Sequence, residues 1–448
     1  MASGSWFSTT GKRLPRCAAP QLPGRSTLIL LGLWVAFSCS RLSGLPKLEG
    51  LPQITLERLA FGALLATALV NVALRKGRMG PCRLAELGLW AVAAHAAISG
   101  VLQGAFSSGY AGAGVGILLN LLVLPALAYS LVLRTRWAGR DVRGLFFILC
   151  GFGLYLGLTA VLERSPLHWA VLPAEIVDPR LEHHWGRARG PFIQAEFNAT
   201  VMVLLLPVTL FLSTRRGATA RAFGLLAAGL LCLGVYLTET RAALISLVVV
   251  LAIGSAARGG QRSLYVGLAA LLVVAGVALA VLGFPVVPRL DEVGPIYDRF
   301  KLLSVTFSMI GARPIAGIGY GNFDLQQEAF FDPTSRVVAA FTEGAFWSGG
   351  THNTLLTPFA ELGVLAGSLL LLLVLRVPWA GLVRSFRAGA PGPEPLLLCC
   401  TLVGVAYVVN AVFVELRYTL TPNALFWIAA ALLDSPPRLD SPRPGRPS

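Results

Sequence analysis

The chain has 448 residues, of which 55% are hydrophobic and 13% charged, against about 25% charged in an average soluble domain. That is too little polar surface for a water-soluble globule and too much hydrophobicity for a disordered chain. Its long runs are apolar without alternation, which excludes an outer-membrane barrel and leaves an all-α, polytopic integral membrane protein, so the net charge of +15, from 37 Lys and Arg against 22 Asp and Glu, has to be read against membrane orientation.

Residues 1–25 form a basic leading segment. The apolar run 26–40 that follows is read as an uncleaved first helix, because a multi-pass protein needs no separate secretory signal. Further runs lie at about 59–74, 84–102, 111–133 and 144–162. A polar stretch, 163–194, separates these from a run at 195–213, and runs at 222–238, 242–257 and 264–287 follow in quick succession. A second and larger polar stretch, about 288–360, precedes the last three runs at 361–380, 395–415 and 420–434. The Pro-rich tail 435–448 reads as disordered. The expectation is therefore one membrane domain over 26–434, with about twelve transmembrane helices and a large loop between the ninth and tenth. The seven cysteines show no metal-ligand spacing and read as small apolar residues.

With the N-terminus placed in the cytoplasm, 23 of the 37 Lys and Arg fall on the inner side and the acidic residues split the other way. This is the positive-inside pattern. Both termini are then cytoplasmic, and the two long loops face the periplasm. The basic balance records orientation and does not point to a nucleic acid partner.

The outward loops gather the unusual residues. Loop 163–194 holds Arg180, His183, His184, Arg187 and Arg189, then Gly190-Pro191-Phe192. Thr238-Glu239-Thr240-Arg241 stands before an apolar helix, with Glu239 the neutralising neighbour of Arg241. The large loop carries Arg299, Arg313-Pro314, the turn Gly317-Ile318-Gly319-Tyr320-Gly321-Asn322-Phe323 and Thr351-His352-Asn353; Arg417 lies in the last outer turn. Arginine offers a permanently charged, planar fork of donors that fits phosphate oxygens. A histidine at a polar loop can take a proton from an attacking hydroxyl. The adjacent pair His183 and His184 points apart on either regular structure and has no third ligand nearby, which weighs against a metal site. The glycine-rich stretch follows no strand, so it reads as a tight turn and not as a dinucleotide fingerprint. No Gly-Lys-Ser loop and no metal-binding acidic pair is present, which weighs against an ATP-driven pump and a metal-dependent nucleotide-sugar transferase. Glu86, His95, Asn120 and Asn410 are scattered among the spans without repeat symmetry, unlike the paired pattern of a secondary transporter or flippase.

Over about residues 185–380 the order of these pieces resembles the O-antigen ligase and O-antigen polymerase family of bacterial envelope glycosyltransferases. The pieces are Arg189-Gly190-Pro191-Phe192 with Asn198, Thr240-Arg241-Ala242-Ala243, Arg299, Arg313-Pro314 through Phe323, His352-Asn353-Thr354-Leu355-Leu356, and Glu361-Leu362-Gly363 with Gly367. The resemblance implies a bacterial inner-membrane enzyme that takes a glycan from an undecaprenyl diphosphate carrier. The acceptor would be lipid A–core for a ligase, or a growing glycan for a polymerase. It implies no metal and no cofactor, since the leaving group is itself a lipid diphosphate. Carried over residue by residue, it implies that Arg189, Arg241, Arg299 and Arg313 meet the diphosphate and that His352 orients or deprotonates the acceptor hydroxyl. Asn353 and Glu361 would hold His352 or the sugar, and Gly319 and Gly321 would line the binding turn. Between Arg187 and Arg189 the pattern leaves the diphosphate contact open.

Overall fold

The computed structural model describes residues 22–39, 56–74, 83–106, 111–137, 139–181, 184–214, 217–257, 261–281, 294–332, 351–386 and 394–435. The leading segment to residue 21, the tail from 436, His183 and stretches 282–293 and 333–350 of the large loop lie outside the described residues.

Each apolar run of the sequence is helical. In chain order the helices are α1 (Gly24–Phe37), α2 (Leu56–Leu74), α3 (Leu84–Leu102), α4 (Ala111–Leu118) continuing through a π-turn at Leu119–Val123 into α5 (Leu124–Arg134), α6 (Gly139–Glu163), α7 (Ala195–Ser213), α8 (Ala218–Leu237), α9 (Arg241–Ala256), α10 (Arg262–Val281), α11 (Gly294–Ala312), α12 (Phe323–Gln326), α13 (Thr357–Phe386), α14 (Pro395–Phe413) and α15 (Leu420–Asp434). The only strand pairing among the described residues is Leu22–Pro23 beside Thr135–Arg136.

Among the described residues, seven helical segments are long and apolar enough to cross a membrane: Leu84–Leu102, Gly114–Arg134, Asp141–Glu163, Ala195–Ser213, Ala218–Leu237, Thr357–Phe386 and Pro395–Phe413. The expected count of about twelve is not confirmed by these seven; α1, α9 and α15 are shorter apolar helices. The 16 residues of α9 extend about 24 Å, less than the ~30 Å hydrocarbon core.

Helix α7 is the axis of the molecule. Its sequence is apolar on every side, and every residue of it except Glu196 is buried, as expected of a helix with no polar face in a large assembly. Helices α6, α8, α14 and α15 pack around it. The outer helices turn large apolar side chains outward, among them Leu102, Val274, Leu365, Leu372 and Trp379, which only lipid could cover without cost. Five cysteines, Cys39, Cys150, Cys232, Cys399 and Cys400, are buried free thiols, the apolar role read from sequence.

Helix α11 lies inside the stretch read as loop. Asp298, Arg299 and Lys301 interrupt its hydropathy, yet Leu302, Val305 and Met309 fall on one face and bury against Ile318, Phe323 and Ala360. At the bundle end away from His352, Arg376 grips Asp434 through two bonds of 3.0 and 2.8 Å, and Tyr129 donates to the same carboxylate at 2.5 Å. Arg134 pairs there with Glu86. These bonds tie α3, α5, α13 and α15 together at that end.

Candidate active site

The polar end of the bundle is assembled from three pieces of backbone, and most of its arginines are used to build them. Arg189 is 1% exposed. Its Nε donates to the Ile176 carbonyl at 3.0 Å and its Nη2 to the Asp178 carbonyl at 2.8 Å, while Nη1 reaches the Leu181 carbonyl. The guanidinium also lies over the Trp185 ring. The fork expected to meet a diphosphate therefore folds the loop 164–194 around itself. Arg187 donates to the Thr238 carbonyl at 2.8 Å and to the Thr240 hydroxyl at 2.9 Å, which pins that loop to the turn before α9. Glu239 makes its ion pair with Arg164 at 3.4 Å. His184 accepts the Ala195 backbone N–H on Nδ1 at 3.1 Å, so it caps the start of α7, one of the orphan donors of a helix N-terminus.

The second piece is the glycine turn. Helix α13 opens at Gly363, where φ is +80°, and the strip 314–319 docks into the opening. Val364 N–H donates to the Pro314 carbonyl at 2.7 Å, Ile318 N–H to Ala360 at 2.9 Å and Gly319 N–H to Glu361 at 3.1 Å. Gly319 and Gly321 both sit at positive φ, and a Cβ on Gly319 would strike Gln103. The Glu361 carboxylate accepts from Arg417 Nη1 at 2.8 Å and from Phe323 N–H at 3.0 Å, with both charged side chains 1% exposed. Arg313 is exposed and donates to Gln103 at 3.4 Å. Glu361 and the glycines thus hold the fold of this turn; Glu361 is engaged with Arg417 and not with His352. A Cβ on Gly363 would collide with the Ile315 carbonyl. Gly363→Ala is accordingly expected to lower stability by at least about 2 kcal/mol, from positive φ and backbone collision together, read as a drop in the thermal unfolding midpoint in detergent.

The third piece brings predicted residues together. His352 stands at φ +52° just before α13, with Nδ1 4.0 Å from Glu196 Oε2 on the first turn of α7. That Nδ1 is buried and makes no hydrogen bond. Arg299, on α11, is held below the ordinary guanidinium pKa range by burial, with Glu196 opposing the shift and Arg241 adding to it. Glu196 is therefore shared by His352 and Arg299, and Arg241 stands near enough to Arg299 to act on its charge. Asn353 caps the following helix, its Oδ1 accepting from Leu355 and Leu356 N–H at 3.1 and 3.0 Å. Glu196 was passed over in the sequence because an acid in a helix's first turn is explained by the helix dipole alone. Nothing local shows that it faces a histidine from a distant loop.

Residues 226–371 match the family model described as O-antigen ligase. The match covers about a third of the chain. It contains Arg241, Arg299, Arg313, the glycine turn, His352, Asn353 and Glu361, and excludes Arg189 and Glu196. No curated protein matches the chain. The seven candidate spans among the described residues and the family match together point to a membrane protein with an O-antigen-ligase-like region.

Proposed function

We propose that the protein transfers a glycan from an undecaprenyl diphosphate carrier to an acceptor hydroxyl at the periplasmic face of the bacterial inner membrane, with lipid A–core as acceptor. The observation that carries this reading is the cluster in which Glu196 faces both His352 and Arg299, with Arg241 close enough to Arg299 to repel its charge. Two neighbouring guanidiniums, with Glu196 beside one of them, make a positive locus suited to a diphosphate. In the reaction the acceptor oxygen bonds to the anomeric carbon, whose bond to the diphosphate oxygen breaks. The diphosphate leaves with the electron pair, and the acceptor proton passes to the His352 imidazole. Arg241 and Arg299 meet the charge that develops on the leaving group. Arg189 is saturated by its own loop, and Arg313 stands apart beside Gln103, so the diphosphate contact rests on Arg241 and Arg299.

The scattered polar groups of the spans support an interfacial enzyme over a transporter. Asn120 donates to the Tyr418 carbonyl, Asn410 to Ala406, and Glu86 pairs with Arg134. Each is satisfied locally, as buried polar groups generally are, and none continues into a path across the bundle.

The test is transfer by the purified full-length protein in lipid nanodiscs, with an undecaprenyl-diphosphate-linked glycan as donor and either lipid A–core or a second donor molecule as acceptor. Product on lipid A–core supports a ligase; chain growth on the carrier assigns a polymerase. Turnover is expected to persist in excess chelator. Absence of transfer to either acceptor, with the protein folded, would count against the reading.

A further inference from the structure

We propose that Glu415 is a positioning residue for His352, acting through the hydroxyl of Thr351. The inference rests on the reading of His352 as the group that receives the acceptor proton. The starting observation is the backbone of His352 itself. A non-glycine residue at φ +52° is uncommon and persists where its surroundings over-determine it.

Beyond the bonds within 351–357 themselves, those surroundings come from the last turn of α14 and the residues just after it. Thr351 Oγ1 donates to Glu415 Oε2, and Thr357 Oγ1 donates to the same oxygen at 2.9 Å. On the other flank of His352, Thr354 N–H donates to the Ala411 carbonyl at 2.8 Å and Thr354 Oγ1 to the Val414 carbonyl at 2.7 Å. The residues on both sides of the histidine are thus stitched to residues 411–415, and Glu415 holds two of the stitches. An ionised carboxylate is acceptor-only and can take several donors at once, which fits two hydroxyls meeting one oxygen.

Glu415 is 4% exposed, and a carboxylate so deeply placed needs a counter-ion. Arg417, itself 1% exposed, supplies it, with Nε 3.6 Å from Glu415 Oε1. Arg417 is in turn fixed by Glu361 at 2.8 Å and Asp324 at 3.2 Å, the groups that carry the glycine turn. The buried charges therefore join the glycine turn, the end of α14 and the strap bearing His352 into one unit. Neither Glu415 Oε1 nor Arg417 Nε makes a hydrogen bond, so ionic attraction rather than a bonded contact couples that edge of the pair.

The test compares Thr351→Val, nearly equal in shape but without the hydroxyl, with Thr351→Ser, which keeps it, and with Glu415→Gln, all in the full-length protein. Two readouts are taken: kcat and KM for the undecaprenyl-diphosphate-linked donor, and the rate at which diethyl pyrocarbonate modifies His352, followed by peptide mass spectrometry. Thr351→Val and Glu415→Gln are expected to lower kcat by about 10- to 100-fold, the scale of a small misplacement of a reacting group. Donor KM should stay within about twofold, since the diphosphate contacts are untouched. His352 modification should accelerate several-fold, and Thr351→Ser should restore both readouts. Wild-type kcat and an unchanged modification rate in Thr351→Val would overturn the proposal. Should His352→Asn turn over at the wild-type rate, the reading of His352 itself would fall, an outcome separate from what the modification rate reports about the strap.

Discussion

A His352→Asn protein is expected to reach the membrane and fold normally while losing glycan transfer by a factor on the order of 10²–10⁴, the range of a positioned general base. Asparagine is the informative replacement because the position lies at φ +52°, which asparagine tolerates better than most residues. His352→Ala should lose transfer equally but should also unfold earlier, because the left-handed backbone then costs more. The pair of variants separates chemistry from strain. Donor binding should survive in both, since Arg241 and Arg299 remain. Transfer at the wild-type rate by either variant, measured in nanodiscs, would remove His352 from the mechanism.

The helices of this fold were legible because unbroken hydropathy needs no tertiary information. Leu84–Leu102 and Ala195–Ser213 begin and end where the sequence places them. Helix α11 was not legible, since Asp298, Arg299 and Lys301 break its apolar run and only the docking of Leu302, Val305 and Met309 on the glycine turn declares its buried face. The number of spans was less legible than the number of helices. Helix α9 is 16 residues long, and length against membrane thickness is a property of the surroundings as much as of the chain.

At the site, the types of residue were readable and their allegiances were not. Arg189 and Arg299 look alike in the sequence, each an arginine in a polar stretch. One spends its fork on the carbonyls of Ile176, Asp178 and Leu181; the other faces Glu196 and Arg241. Whether a guanidinium turns back on its own loop depends on carbonyls that only the folded loop presents. Glu361 illustrates the same limit, being adjacent in sequence to the His352 motif yet bonded to Arg417 and Phe323. Glu196 and Glu415 escaped notice because each belongs to a bland local context. Their significance comes from the strap 351–357, which neither adjoins in sequence.

Arg299→Lys is expected to reduce transfer by about 10²–10³-fold, the loss typical of removing one stabiliser of a charged transition state. A lysine at this position keeps the formal charge but offers a single point of donors in place of a planar fork. Its environment compounds the loss. Burial disfavours the charged form, Arg241 adds like-charge repulsion, and Glu196 offsets them incompletely, so the net push on Arg299 is downward. Arginine absorbs such a push without losing its proton in the working range. Lysine starts about two pKa units lower and moves in the same direction under the same three influences. The residual activity of Arg299→Lys should therefore fall as pH is raised into the alkaline range, along a limb that the wild type lacks. Arg241→Lys should lose transfer on the same scale, because its fork would meet the same diphosphate. A pH–rate series on the two lysine variants and the wild type decides the matter: wild-type turnover in both would refute diphosphate binding by this pair, while an Arg299→Lys profile parallel to that of the wild type would refute the downward push at position 299.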